Sequence, residues 1–136
     1  MEVPNFKIAR EEYDKIVLIL SHLHKRARAS SVCLINRNGQ DIAHEGQFDG
    51  LDIQALSSLA ASTLAATFGL ASLIQEEEFQ RIYHRGRKNS LIITPVAELA
   101  LLLIVLPTGQ EDGRDLASLG QAILILEDIL RKCSSE

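Results

Sequence analysis

Residues 90–106 read SLIITPVAELALLLIVL, a stretch in which apolar residues do not alternate with polar ones. A strand that covers a core on one face alternates the two, whereas a strand covered on both faces is apolar almost throughout. Ala97 and Glu98 interrupt the stretch, so we expect two strands near 89–96 and 99–106. The pattern predicts the centre of a sheet with other elements packed on both of its faces.

The remaining elements are predicted from the sequence on either side of this stretch. A further strand is expected near 79–85, followed by a turn at 86–89. Upstream, SVCLIN (31–36), RNG (37–39) and QDIAHEG (40–46) predict a hairpin. Apolar residues at helical spacing predict helices near 9–29, 53–74 and 114–132, and residues 1–5 are expected to form a loose start.

The predicted order of elements is α-β-β-α-β-β-β-α within 136 residues, which is the length of one domain, 1–136. Five antiparallel strands covered on both faces predict a mixed α/β (α+β) fold, a three-layer α/β/α sandwich. We expect the first and last helices on one face of the sheet and the second helix on the other.

The composition is that of a globular protein, with 46% hydrophobic and 24% charged residues. A net charge of −4 gives no indication of nucleic-acid binding by the whole surface. Cys33 and Cys133 form neither a disulfide framework nor a metal pattern, which suits a reducing, cytoplasmic location. We expect no signal peptide, and the longest apolar run, 99–106, is too short to span a bilayer.

The sequence contains no recognisable catalytic constellation. It has no phosphate-binding loop and no GxSxG motif. His22 and His24 lie roughly 200° apart around a helix, and the strand neighbours His44 and Glu45 point to opposite faces. The carboxylates at 76–78 are predicted to be a solvated run, and Cys33 a small buried hydrophobe. We therefore expect no metal, no cofactor and no catalytic site of its own.

Basic side chains gather around the predicted turn at 86–89, namely Arg81, His84, Arg85, Arg87 and Lys88. Charges of this kind deter unwanted pairing at the edge of a sheet, which is the simplest interpretation. An electrostatic contact with an acidic partner is a second interpretation, and nucleic acid is less favoured because aromatic residues for base stacking are scarce. Arg85 and Arg87 are also candidates for an arginine finger acting on a bound nucleotide in trans.

The predicted second helix contains SSLAASTLAATFGLAS (57–72), in which most side chains are small. Spacing of three and four residues predicts one stripe that faces the sheet, made of Leu56, Leu59, Thr63, Ala66 and Leu70. A second, nearly flat stripe contains Ala61, Ala65 and Gly69, flanked by Ser58, Ser62 and Leu64. Such a stripe either packs closely within the protomer or accepts a protein partner. The second interpretation is favoured because the bulky residues already account for the sheet.

The element order, the small-residue helix and the segment EEEFQRIYHRGRKNSLIITPVAELALLLIVL (76–106) resemble the Roadblock/dynein light chain family. The likeness is greatest to its bacterial MglB-type members. It implies a profilin- or longin-like fold and a homodimer in which second helices lie antiparallel and third strands pair. It also implies that the paired helices bind a small Ras-like GTPase and accelerate GTP hydrolysis without an arginine finger.

The resemblance, together with the stripes on the helix, assigns two sets of residues. The set expected to bind the GTPase is Ser58, Ala61, Ser62, Ala65 and Gly69. The set expected at the dimer interface is Leu64, Phe68, Phe79, Arg81 and Tyr83. Two alternatives stay open: a scaffold or effector adaptor that binds a GTPase without stimulating it, and a small-molecule sensor. Direct membrane insertion and nucleic-acid binding are not expected.

Overall fold

The computed structural model describes residues 2–3, 6–48, 50–77, 81–109 and 117–133. The elements in chain order are β1 (Glu2–Val3), β2 (Phe6–Lys7), α1 (Arg10–Arg26), β3 (Ser31–Asn36), β4 (Asp41–Gly46), α2 (Ile53–Leu73), β5 (Ile82–Arg85), β6 (Asn89–Val96), β7 (Ala100–Pro107) and α3 (Ala117–Lys132). Three helices and five main strands follow the predicted order.

The five main strands form one antiparallel sheet in the spatial order β4-β3-β7-β6-β5. Helices α1 and α3 pack against each other and against one face of this sheet, and α2 packs against the opposite face. This arrangement is the predicted three-layer α/β/α sandwich. Strands β3, β7 and β6 lie inside the sheet, while β4 and β5 are its edges.

The stretch at 90–106 is apolar throughout because alternate side chains enter two different cores. In β7, Leu102 and Ile104 are buried beneath α1 and α3. Their neighbours Leu101 and Leu103 are buried beneath α2. Each face of the strand therefore has its own helical cover, as the sequence pattern predicts.

Some boundaries differ from the predicted ones. Within the expected loose start, Glu2–Val3 forms a short strand paired with β2, and the Lys7 amide donates to the Cys133 carbonyl at 2.8 Å. Helix α1 ends at Arg26, three residues early, because Arg28 adopts a left-handed conformation with φ of 55°. The predicted start of the last helix and the first residues of the strand near 79–85 lie outside the described residues.

Two irregularities of the sheet matter for the site. The register between β3 and β4 shifts, so that Leu34 pairs with Ala43 and Ile35 pairs with Asp41, and Ile42 forms a bulge. Pro95 lies in β6 opposite Leu101 of β7, beyond the part of β6 that pairs with β5. A proline fits there because no strand hydrogen bond is needed on its outer side.

Candidate partner-binding surface

Helix α2 is well terminated at both ends. The Asp52 carboxylate accepts a hydrogen bond from the Ala55 amide at 3.0 Å, which caps the first turn. At the other end Gln75 has a φ of 62°, and the Glu76 amide donates to the Ala71 carbonyl at 2.8 Å. This is the Schellman arrangement, formed without the usual glycine. None of the 21 residues between these ends is charged.

By length and composition α2 is apolar enough to cross a membrane, which by itself is weak evidence of a span. The inner side of the helix already packs on the sheet. Leu64 and Ala60, for example, belong to the same buried cluster as Leu103 of β7. We therefore treat α2 as a helix of the domain with an unusually apolar outer surface.

The side of α2 that faces the sheet is not the predicted one. The buried residues are Ser57, Ala60, Ala61, Leu64 and Ala71. The predicted sheet-facing residues Leu59 and Leu70 are instead exposed. The reason lies in the sheet, which presents large side chains such as Leu101 and Ile93. Small residues on α2 let the helix approach the sheet closely. The large side chains that fill this core therefore come mainly from the strands.

The outer surface of α2 carries a leucine stripe, which consists of Leu59, Ala66, Leu70 and Leu73 and continues into Ile74. The three leucines are 67%, 61% and 82% exposed, and Ile74 is 63% exposed. Burial of one such side chain stabilises a protein by roughly 1.5–3 kcal/mol. In the isolated protomer these side chains remain in water, so burying them against a partner would be favourable. A contiguous apolar patch of this kind typically marks a protein interface.

Beside the leucine stripe lies a small-residue stripe made of Ser58, Ser62, Ala65, Gly69 and Ser72. All of it is exposed except Ser58, which is half-buried. The β3–β4 turn lies against this end of the stripe, since a Cβ on Gly39 would be 3.0 Å from the Ser58 Cα. At 100° per residue, the leucine stripe points away from the buried side of α2, and the small-residue stripe lies roughly 90° from the leucine stripe around the helix.

Several hydroxyl groups of α2 are satisfied inside the helix. Ser62 donates to the Ser58 carbonyl at 3.0 Å, Thr63 to the Leu59 carbonyl at 2.8 Å, and Thr67 to the Thr63 carbonyl at 2.8 Å. Each bond runs back one turn, which is the local pattern available to Ser and Thr in a helix. These hydroxyls add little polarity to the surface, so α2 presents a largely apolar exterior.

Strand β5 is the second exposed feature. It pairs with β6 through Ile82–Ile93, Tyr83–Ile92 and the two pairs that follow, and its other edge has no strand partner among the described residues. Ile82 packs at the margin of the α2 core, whereas Tyr83 points to the opposite face and is exposed. An unpaired edge with ordered backbone groups is suited to pairing with another strand.

The predicted site residues fall into four groups, which are exposed, half-buried, buried and outside the described residues. Ser62, Ala65, Gly69, Arg81 and Tyr83 are exposed, and Ser58 is half-buried. Ala61 and Leu64, by contrast, are buried against the sheet of their own protomer, so their side chains are not available to a partner without rearrangement. Phe68 is half-buried under the Arg37 guanidinium. Phe79 lies outside the described residues.

The basic cluster near the β5–β6 turn is fully on the surface. Its exposed side chains are those of Arg81, His84, Arg85, Arg87 and Lys88. In the part of the chain that the structure describes, no carboxylate forms an ion pair with any of them. The cluster is therefore a local positive patch on an acidic protein, and its position at a sheet edge agrees with a role in deterring unwanted pairing.

A histidine–carboxylate pair occurs where the sequence did not indicate one. His44 Nδ1 lies 2.7 Å from Asp41 Oδ2, and the His44 ring packs edge-on against Phe48. Residues three apart normally fall on opposite faces of a strand, but the bulge at Ile42 brings these two together. A bulge leaves no sequence signal here, so periodicity alone could not find the pair.

Cys33 lies directly across the β3–β4 ladder from His44. The thiol is buried, and desolvation together with the Asp41 charge raises the pKa of Cys33 to about 12. A thiol with such a pKa stays protonated at neutral pH and is a poor nucleophile. The three residues do not form a nucleophilic site.

A polar cavity of about 390 Å³ opens between the β6–β7 turn and α3. Its lining residues are Arg37, Phe68, Glu77, Pro95, Ala97, Glu98, Glu127 and Arg131. Much of its polarity is used internally, because Glu127 accepts from the Ala97 amide at 2.9 Å and Arg131 pairs with Glu98 at 3.6 Å. A small-molecule site needs polar groups that converge on the ligand, so this cavity gives the sensor hypothesis little support.

The comparisons with known proteins agree with this geometry. The sequence profile of the Roadblock/LC7 domain matches residues 15–106, whereas a comparison with curated proteins finds no match. The solved structure of Myxococcus xanthus MglB is 33% identical, with a TM-score of 0.87 over 96% of this chain and 98% of that one. An MglB with a tetrameric arrangement is 27% identical, with a TM-score of 0.86 over 96% and 98%. The gliding protein MglB from Thermus thermophilus is 26% identical, with a TM-score of 0.86 over 97% and 100%.

The profile match includes α2, β5 and all the strands of the main sheet, and the structural likeness extends over nearly the whole chain. The resemblance to MglB-type proteins noted in the sequence is thereby confirmed, together with the fold it implied. On these grounds the chain belongs to the Roadblock/LC7 family.

Proposed function

We propose that this protein is a homodimeric regulator that binds a small Ras-like GTPase through α2 and stimulates GTP hydrolysis. The observation that carries the proposal is the outer surface of α2, which is uncharged over 21 residues and exposes three leucines. Roadblock membership and the 33% identity to MglB give this surface its context. By analogy with the gliding protein, we place the regulator in polarity, motility or signalling control.

The leucine stripe is the proposed helix contact between protomers. Antiparallel packing of two α2 helices would bury both copies of Leu59, Leu70 and Leu73, which are the most exposed leucines of the helix. The same two-fold axis would bring two β5 edges together and join the sheets into one. Self-complementary contacts of this kind are the rule in two-fold dimers. In this arrangement both unpartnered features, the apolar flank and the free edge, are covered at once.

The small-residue stripe is the proposed contact with the GTPase. Its exposed members Ser62, Ala65 and Gly69 have no long side chains, so another backbone can approach α2 closely. We leave Ala61 out of this contact because it packs on the sheet, and Leu64 out of the dimer contact for the same reason. Both choices follow from the direction in which the faces of α2 point in the protomer.

The proposal assigns the chemistry to the GTPase. Binding energy from a flat contact can hold mobile loops of a partner in one geometry, which stabilises the transition state of phosphoryl transfer through positioning. Arg85 and Arg87 are exposed and are not required by this mechanism. A regulator of this kind changes the rate without supplying a group to the reaction.

The test is single-turnover GTP hydrolysis by a small Ras-like GTPase from the same organism, with and without excess of this protein. Wild type is expected to accelerate hydrolysis. Ala65→Arg is expected to abolish binding and acceleration while light scattering still shows a dimer, because a long charged side chain cannot enter a flat contact. The matched control is Arg87→Ala, which should accelerate as wild type does.

Other outcomes separate the alternatives. Binding without acceleration would replace the proposal with a scaffold or effector adaptor. Loss of acceleration in Arg85→Ala or Arg87→Ala, with binding intact, would instead indicate an arginine finger. If Ala65→Arg binds normally, the small-residue stripe is not the GTPase contact. Leu70→Glu is expected to yield a folded monomer, and a dimer that survives it would exclude the leucine stripe from the interface.

A further inference from the structure

A groove of about 440 Å³ runs between α1 and α3, on the face of the sheet opposite α2. The residues that line it are Leu18, Ile19, His22, Leu23, Ser118, Gln121, Ala122 and Ile125. On each helix these residues recur three and four positions apart, so they form one wall along that helix. The groove follows the line along which α1 and α3 pack against each other.

The lining of this groove is mostly apolar, and its upper walls are open to solvent. Leu18 is 70% exposed and Ile125 is 46% exposed, and they lie on opposite walls. Nothing in the described part of the chain covers them. Two large aliphatic side chains on opposite walls of an open groove provide anchor positions for apolar side chains of a partner.

The α1 wall of the groove continues into a basic end. Lys25 and Arg26 follow His22 by three and four residues, which places them beyond His22 on the same side of α1. Within the described residues no carboxylate pairs with His22, Lys25 or Arg26. Positively charged residues in the last turn of a helix interact favourably with the helix dipole, which explains why Lys25 and Arg26 are basic. The dipole does not explain the apolar groove beside them.

Several carboxylates of the two helices pair with a base on their own helix, as Asp14 does with Arg10 at 3.4 Å. Glu11 lies 3.8 Å from Lys15, and Asp128 lies 3.1 Å from Lys132. Beyond His22 the charged side chains of α1 are Lys25 and Arg26, and a partner segment with acidic residues beside apolar ones is complementary to this end of the groove.

We propose that the groove between α1 and α3 binds an acidic amphipathic helix of a second protein. Its apolar face would lie between Leu18 and Ile125, and its carboxylates would pair with Lys25 and Arg26. This is the helix-in-groove mode of recognition, in which apolar anchors recur at i, i+3, i+4 and i+7. The site lies on the opposite side of the sheet from α2, so both surfaces are accessible at the same time, and the proposal stands independently of the GTPase.

The test uses two synthetic helical peptides of about 15 residues, the length at which isolated helices become stable. Both have the same leucine face, and their remaining positions carry glutamate in one and lysine in the other. Each is titrated into isotopically labelled full-length protein and followed by amide chemical shifts. The glutamate peptide is expected to bind, with shifts confined to α1 and α3, and to bind at least about tenfold more tightly than the lysine peptide.

Matched variants locate the contact. Ile125→Glu is expected to weaken binding of the glutamate peptide about tenfold or more, because it places a like charge on an apolar anchor. Leu124→Glu is the control, since Leu124 is also exposed on α3 but does not line the groove. It should bind as wild type does. Lys25→Glu combined with Arg26→Glu is expected to reverse the preference towards the lysine peptide.

Four results would overturn the proposal. They are absence of binding at millimolar glutamate peptide, equal binding of both peptides, equal loss in the Leu124 and Ile125 variants, and shifts that map to α2. Two further measurements address other occupants. Binding to anionic phospholipid vesicles that Ile125→Glu abolishes would replace the partner helix with a membrane surface. A smaller assembly of Ile125→Glu in light scattering, without peptide, would replace it with a second copy of this chain.

Discussion

The guanidinium carbon of Arg37 lies 4.8 Å from the centre of the Phe68 ring. The same side chain donates to the carbonyls of Ala100 at 3.2 Å and Ala97 at 3.4 Å. One residue after β3 therefore connects α2 with the turn between β6 and β7. This contact links the C-terminal half of α2 to the sheet in addition to the apolar packing beneath the helix.

Loss of this connection should destabilise the protein measurably. Arg37→Ala is expected to lower the free energy of unfolding by about 2–3 kcal/mol, because a stacked cation and two charge-assisted hydrogen bonds are removed. Arg37→Lys should restore less than half of the loss, since an ammonium group cannot stack and donate in the same geometry. Urea unfolding measures both, with Arg87→Ala as a control expected within about 0.5 kcal/mol of wild type. Equal stability of Arg37→Ala and wild type would show that the stacking is dispensable.

Because one leucine of α2 is buried and another is exposed, we expect the same substitution at these two positions to change the free energy of unfolding by very different amounts. Leu64→Ala is expected to cost about 2–5 kcal/mol of unfolding free energy because it opens a cavity in the core. Leu70→Ala should stay within about 0.5 kcal/mol at protein concentrations where the monomer dominates, because its side chain is exposed. Thermal and urea unfolding of the pair decide the matter. A larger loss for Leu70→Ala would favour the helix orientation that the sequence predicted.

Two glycines with left-handed backbone differ only in their surroundings. Gly39 has a φ of 88° and faces the Ser58 Cα, whereas Gly50 has a φ of 75° and faces open space. Gly50→Ala is expected to cost about 1 kcal/mol from backbone strain alone. Gly39→Ala should cost more, by about 1–2 kcal/mol, because its methyl group meets the Cα and side chain of Ser58 in α2. Equal losses of unfolding free energy for the two variants in urea would mean that the β3–β4 turn shifts to accommodate the methyl group at no cost.

The buried thiol predicts a specific dependence on alkaline pH. Burial raises the pKa of Cys33 from 9.0 to about 12, so the unfolded chain loses this proton at a lower pH than the folded one. The resulting stabilisation is complete below pH 9 and declines as pH rises towards 12. Between about pH 8 and about pH 10, wild type is expected to lose about 1.4 kcal/mol more than Cys33→Ala. Parallel pH profiles for the two proteins would show that Cys33 titrates alike in both states.

Much of the fold could be predicted because its central pattern has one physical solution. Leu101 to Ile104 are apolar without alternation, and a strand in a sheet covered on both faces buries every one of them. The placement of the helices in two layers follows from that. The N-terminal pairing of Glu2–Val3 with Phe6–Lys7 could not be foreseen, since strands of two residues have no periodicity to detect.

Hydrophobicity alone could not predict which face of α2 is buried, because it assigns the large apolar side chains to the core. In this helix Ala60 and Ala61 are buried while Leu59 and Leu70 are exposed. Which residues of α2 are buried depends on the shape of the sheet surface that the helix packs against, and that surface exists only in the assembled sheet. The same limitation applies to His44 and Asp41, which are neighbours only because of the bulge in β4.

The hydroxyls of Ser62, Thr63 and Thr67 bond to their own helix, and α2 carries no charge. A docking protein therefore gains no strong polar bond from these side chains, and affinity has to come from close fit and released water. Exchange among alanine, serine and threonine at exposed positions should change recognition little. One lysine or phenylalanine would prevent the close approach. Selectivity on such a helix arises from exclusion: partners with a protruding or unsatisfied polar group are rejected, and those with a smooth dry surface are retained.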